Sequence, residues 1–251
     1  MKARVRFTKR DKIRFLSHRD LARVWERGLR RAAISVAYSE GYSPRPRLSF
    51  GLALSTGYES LGEYLDIDLS PEADITLDEL LARVTPHLPP GMEATAAIEL
   101  EPGVDSLQHA VTSCDWRIEI VGPTLEAATA RVAEVLAAEE VPVTVTRKGS
   151  DSEIDARPAI LALRIVEPDA PRPGVPSLRP TAVLEATIAT QPRSLRPAEL
   201  LRALDATWRD GRVLRTHQWT LVDGARCEPI PLVDPGAGGA TSTTHAEARA
   251  S

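Results

Sequence analysis

The chain has 251 residues, 43% hydrophobic and 26% charged, which suits one large domain or two small ones and excludes a mainly disordered protein. No run approaches the ~18 to 20 apolar residues of a membrane span, and residues 1–15 lack a signal peptide's apolar core, so a cytoplasmic location is expected. The formal net charge of −4 hides an asymmetry: residues 1–50 carry 14 Lys or Arg against four acids, a net of +10, and the remainder carries −14.

Val5 and Phe7 alternate with Arg4, Arg6 and Thr8, which predicts a half-buried strand with Ile13 and Phe15 as its extension. Ser17 is placed as an N-cap with Asp20 at the third helical position. The helix then runs to about Ala33 and turns Leu21, Val24, Trp25 and Leu29 toward the core. Ser35–Ser39 leads into a loop, Gly41–Arg47. Leu48, Phe50, Leu52 and Leu54 alternate with small or polar residues as a strand, as do Leu65, Ile67 and Leu69. A helix over 75–88 and a strand over 92–100 follow.

Trp116, Ile118 and Ile120 open a second series, with a helix over 124–139, a strand on Val141, Val143 and Val145, and more sheet over 159–166. A strand near 181–190, a helix starting at Pro197 and ending near Trp208, and a strand over 212–222 complete it. Two β–α–β–β–α–β orders predict an α+β protein of two tandem ferredoxin-like units with antiparallel sheets. The first, basic unit covers 1–100, a connector 101–113, and the second unit, with an extra strand or long hairpin, 114–223. The segment 235–251 has no apolar periodicity and is expected to be disordered.

Charge segregation of this kind points to a polyanionic partner, with internal pairing of basic and acidic parts as the alternative. On the first helix, Arg19, Arg23, Arg27 and Arg30 are four, four and three apart and line one face, flanked by Arg31. Such a ladder suits a phosphate backbone; a solvated helix face is the simpler alternative. In the following loop, Pro44 and Pro46 bias their neighbours toward extended backbone, so Arg45 and Arg47 project to similar sides, and Tyr42 offers a ring for a base. These eight residues are the candidate nucleic-acid site.

His18, beside Arg19 and Asp20, is the candidate general acid or base, with Asp20 tuning it; a histidine that orders the cap is the alternative. Asp66 and Asp68 have metal-ligand spacing but also suit a strand's solvent face, and His217, alternating with Arg215 and Trp219, suits packing or surface. Cys114 and Cys227 stand far apart with no CxxC or Cys/His cluster beside them. No metal or other cofactor is expected from this chain.

The stretch Phe15-Leu16-Ser17-His18-Arg19-Asp20-Leu21, then Arg30-Arg31-Ala32 and Tyr38-Ser39-Glu40-Gly41-Tyr42-Ser43-Pro44-Arg45-Pro46-Arg47-Leu48-Ser49-Phe50-Gly51, resembles the radical-SAM-linked family of uncharacterised bacterial proteins. The likeness continues through Leu54-Ser55-Thr56-Gly57-Tyr58-Glu59-Ser60 and Glu63-Tyr64. The resemblance implies a radical-SAM enzyme as partner, supplying the cluster that this chain lacks, and carries over no catalytic residue. Three functions follow as expectations: an RNA-binding accessory module that presents tRNA, rRNA or a precursor to that enzyme, an RNA-processing or RNA-modifying enzyme using His18, or a protein-docking adaptor.

Overall fold

The structure is a computed structural model that describes residues 1–147, 149–169 and 180–230. The protein is α+β, with a mostly antiparallel sheet and, among the described residues, five α-helices. The first half contains β1 (Lys2–Lys9), α1 (His18–Arg31), β2 (Leu48–Phe50), β3 (Glu59–Asp68), α2 (Leu77–Val84) and β4 (Ala94–Glu99). After a short α3 (Leu107–Ala110) come β5 (Val111–Val121), α4 (Leu125–Ala137), β6 (Pro142–Arg147), β7 (Ser150–Asp155) and β8 (Ile160–Val166). β9 (Ala182–Ala189), α5 (Pro197–Leu204), β10 (Arg209–Val222) and β11 (Ala225–Cys227) complete the described chain.

The two halves do not form separate sheets. A nine-stranded sheet runs β4-β1-β3-β10-β5-β9-β8, with β2 also on β3 and β11 also on β10. Its neighbours are antiparallel except at the seam, where β3 and β10 pair in parallel through Glu59 with Leu214 and Ser60 with Arg215. The hairpin β6–β7 stands apart as a two-stranded sheet. The last helix stops at Leu204, ahead of Trp208, and the segment 235–251 lies outside the described residues.

Helix α1 starts where Ser17 accepts the Asp20 backbone N–H at 3.2 Å, while the Asp20 carboxylate takes the Ser17 hydroxyl at 2.7 Å. Leu21, Trp25 and Leu29 are buried on one side, and the Trp25 ring meets Phe7 of β1 edge-on at 5.0 Å. At the other end, Arg83 of α2 donates to the free carbonyls of Ala32 (2.7 Å) and Ala33 (2.8 Å), groups that a helix terminus leaves unpaired. Burial of each large apolar side chain contributes roughly 1.5–3 kcal/mol, against a few tenths for each like-charge pair along the exposed side. The packed face therefore decides that this arginine-rich segment is a helix.

Strand β1 departs from the expected half-buried pattern: Arg4 and Arg6 are buried as well as Val5 and Phe7. The face carrying Arg6 and Tyr64 is covered by a cluster that includes Leu107 and Ile230, with Leu52 and Leu54 against it. Beyond Phe50, the predicted second strand leaves the sheet, and residues 51–55 run on without strand pairing. In β10 the register slips at Thr216: Arg215 pairs with Trp116, but His217 already pairs with Asp115. This bulge puts Arg215 on Trp116's face and His217 on Asp115's, so the alternation of Arg215 with His217 on one side is not realised.

Candidate nucleic-acid interface

The fold divides the N-terminal basic residues into two sets. One set is internal. Arg4 makes a bidentate pair with Asp66 at 2.7 and 3.0 Å, Arg6 reaches Glu228 at 3.5 Å, and Arg14 reaches Glu59 at 3.4 Å. Lys9 is 1% exposed and donates to the Leu16 carbonyl at 3.1 Å; burial pushes its ammonium below the usual lysine range. Part of the charge asymmetry is thus internal pairing with acids from later in the chain.

The second set is exposed. Arg19, Arg23, Arg27, Arg30 and Arg31 lie on α1 away from its buried Leu21–Trp25–Leu29 side. At 1.5 Å per residue, Arg19 to Arg30 spans about 16 Å, close to five phosphate rises of one strand at ~3.4 Å. Arg23 pairs with Asp20 at 3.2 Å, a half-exposed contact in the ~0–1 kcal/mol class that a phosphate can displace. The Ser17 hydroxyl, and then Arg23 beside it, hold the Asp20 carboxyl below the usual carboxylate range. Arg19, Arg27, Arg30, Arg31 and Arg45 have no ion pair among the described residues.

The loop after α1 is clamped at its base. Ser39 N–H donates to the Arg45 carbonyl at 2.8 Å, Arg45 N–H to the Ser39 hydroxyl at 3.1 Å, and Arg47 N–H to the Ala37 carbonyl at 2.9 Å. Gly41 takes φ 126°, a region L side chains rarely enter, and Tyr42 stands fully in solvent at the tip. Arg47 pairs with Asp68 at 3.7 Å, leaving Arg45 as the loop's unpaired cation. No hydrogen bond or ion pair among the described residues joins this loop to the α1 row.

The catalytic candidates are not assembled. His18 is exposed, its ring edge-on to Phe50 at 5.1 Å, and the Asp20 carboxylate is directed to Ser17 and Arg23 instead. Beside His18, a space of about 10 Å³ among Lys9, Glu63 and Tyr64 has room for one water. Asp66 is held by Arg4, and Asp68 by Lys2 and Arg47, so the two do not form a ligand pair. Among the described residues there is no cluster of three metal-ligating side chains. Burial pushes the Cys114 thiol up to about 11.

Two features that involve the second half escaped sequence reasoning. Asp115 gathers the Trp219 indole N–H (2.8 Å), the Thr187 hydroxyl (2.7 Å) and Arg226 (3.2 Å), with the His217 ring stacked on Trp219 at 5.2 Å. Strand pairing brings these groups together, and no local spacing announces them. The other is a cleft of about 220 Å³ between residues 52–55 and the β5, β9 and α5 elements.

The sequence matches the family described as uncharacterized protein conserved in bacteria, DUF2344, over residues 2–197. The chain belongs to this family. No curated protein matches it. The DUF2344 match takes in the arginine row, the clamped loop and all of the cleft wall up to Pro197, while Arg215 lies past its end. No helix of the described residues is long and apolar enough to cross a membrane.

Proposed function

We propose that this protein is a non-catalytic, cytoplasmic RNA-binding module that holds tRNA, rRNA or a precursor and presents it to a radical-SAM enzyme. The observation that carries the RNA part is the row Arg19, Arg23, Arg27 and Arg30, exposed along α1 and largely free of acidic partners. Two further points support it: Arg45 and Tyr42 project from a loop whose backbone is already ordered, and ordering a preformed loop costs little on binding. The radical-SAM partner rests on the motif resemblance over residues 15–64. Strand order β4-β1-β3-β2 in one half and β10-β5-β9-β8 in the other supports reading each half as a ferredoxin-like unit, joined edge to edge.

Replacing Arg23, Arg27 and Arg45 together with glutamate tests the RNA surface. These side chains are exposed, so folding and Tm stay near those of the wild type, while affinity for bulk cellular RNA falls by at least ten-fold. Unchanged affinity removes the proposal. Copurification of a radical-SAM enzyme that survives nuclease treatment tests the partner separately.

A further inference from the structure

The cleft between the halves has the chemistry of a ligand site distinct from the arginine row. Its walls are apolar at Leu52, Leu54 and Trp116, and the charged side chains lining it, Arg196 and Arg215, are both cationic. Arg215 is 2% exposed. Two Glu63 oxygens and the Leu52 carbonyl hold its guanidinium, which lies 5.5 Å from the Trp116 ring centroid. The indole, 9% exposed, is also braced edge-on by Tyr58 at 6.2 Å, so its place in the cleft wall is fixed.

Because Glu63 answers the charge of Arg215, recognition of an anion falls to Arg196, exposed at the entry to α5. The positive dipole end of α5 lies there too, although Pro197 at its first position has no N–H and the Glu199 N–H is taken by the Arg196 carbonyl at 2.9 Å. Glu199, the acid of that first turn, is buried, accepts the Arg196 backbone N–H at 2.9 Å and pairs with Arg147 at 3.5 Å. A volume of about 220 Å³ is below the ~300 Å³ at which sites for drug-sized molecules begin, so the cleft encloses one ring system, and the charged remainder of its ligand lies outside it at the exposed Arg196.

We propose that this cleft binds a single nucleoside monophosphate unit, its base against Trp116 and its phosphate at Arg196. The unit is either one residue of a bound RNA or a free nucleotide, and only the first source rests on the function proposed above. Stacking of a base on an aromatic side chain does not require a particular sequence, and Ser55, Thr190 and Ser194 add hydroxyl groups to the wall beside it.

The test uses 2-aminopurine riboside 5′-monophosphate, whose fluorescence is quenched on stacking, and a single-stranded oligoribonucleotide carrying one 2-aminopurine, each titrated into the full chain. Wild-type protein gives saturable quenching with at least one probe. Ala53→Phe, which fills the cleft from an exposed position, and Arg196→Glu each weaken it at least ten-fold with an unchanged circular dichroism spectrum. Quenching by the free nucleotide alone supports the cleft while removing RNA as its source. Quenching by neither probe, or equal affinity in both variants and the wild type, overturns the proposal even if RNA still binds through the arginine row.

Discussion

Arg215 on β10 donates to both carboxylate oxygens of Glu63 on β3, at 2.6 and 2.8 Å, across the parallel seam that joins the two halves. Both side chains are almost fully withdrawn from water. Truncating one partner strands the other as a buried charge, which costs about 3–5 kcal/mol. Arg215→Met and Glu63→Leu should each lower urea-unfolding stability by that order, and the double variant should recover most of the loss. Additive losses would show that the two groups do not act as a pair.

The capping box of α2 gives a pH dependence. Glu79 accepts the Thr76 backbone N–H and hydroxyl, both at 2.9 Å, and that backbone hydrogen bond leads in holding its carboxyl below the usual range. The folded state therefore releases this proton more readily than the unfolded chain. The stabilisation is present above the unfolded value of ~4.3 and is lost as pH falls through the folded value. The Tm of the wild type should fall more steeply than that of Glu79→Gln on acidification from pH ~5 to ~3. Parallel curves would contradict the assignment.

How far the fold was legible in the sequence can be argued from α1 and β1. Helix α1 announces itself locally, through Ser17 and Asp20 at capping spacing and Leu21, Trp25 and Leu29 at helical spacing, and the structure places all of these as expected. In β1 the same local logic misleads. Alternating Arg4 and Arg6 look like a solvent face, yet their partners Asp66 and Glu228 lie 62 and 222 positions away. The cover over that face comes partly from residues after β10. The seam, the bulge at Thr216 and the cleft are likewise products of long-range pairing. The exposed arginine row was legible because one helix suffices to line it up.

The thiols offer a check on burial. Cys114 is buried and its thiol is pushed up to about 11, whereas Cys227 is half-buried. An aromatic disulfide reagent at pH 8 should titrate one thiol in the native protein and both in guanidinium chloride. Rapid reaction of both thiols in the native state would contradict the packing around β5.

Among the described residues His18 has no hydrogen-bonded acid or base partner; under the non-catalytic role proposed above, purified protein should leave bulk RNA intact on prolonged incubation, and His18→Ala should retain wild-type RNA affinity. Cleavage by the wild type that disappears in His18→Ala would instead establish an RNA-processing enzyme.

The most direct measurement is RNA affinity across a salt series. If Arg19, Arg23, Arg27, Arg30, Arg31 and Arg45 each neutralise one phosphate, log K against log salt should have a slope of about −4 to −5. The variant with Arg23, Arg27 and Arg45 replaced by glutamate removes three of these six contacts and should then lose about half of that slope along with its affinity. Absence of binding, or a slope near zero in the wild type, would contradict the RNA interface and leave the arginine face to a protein partner.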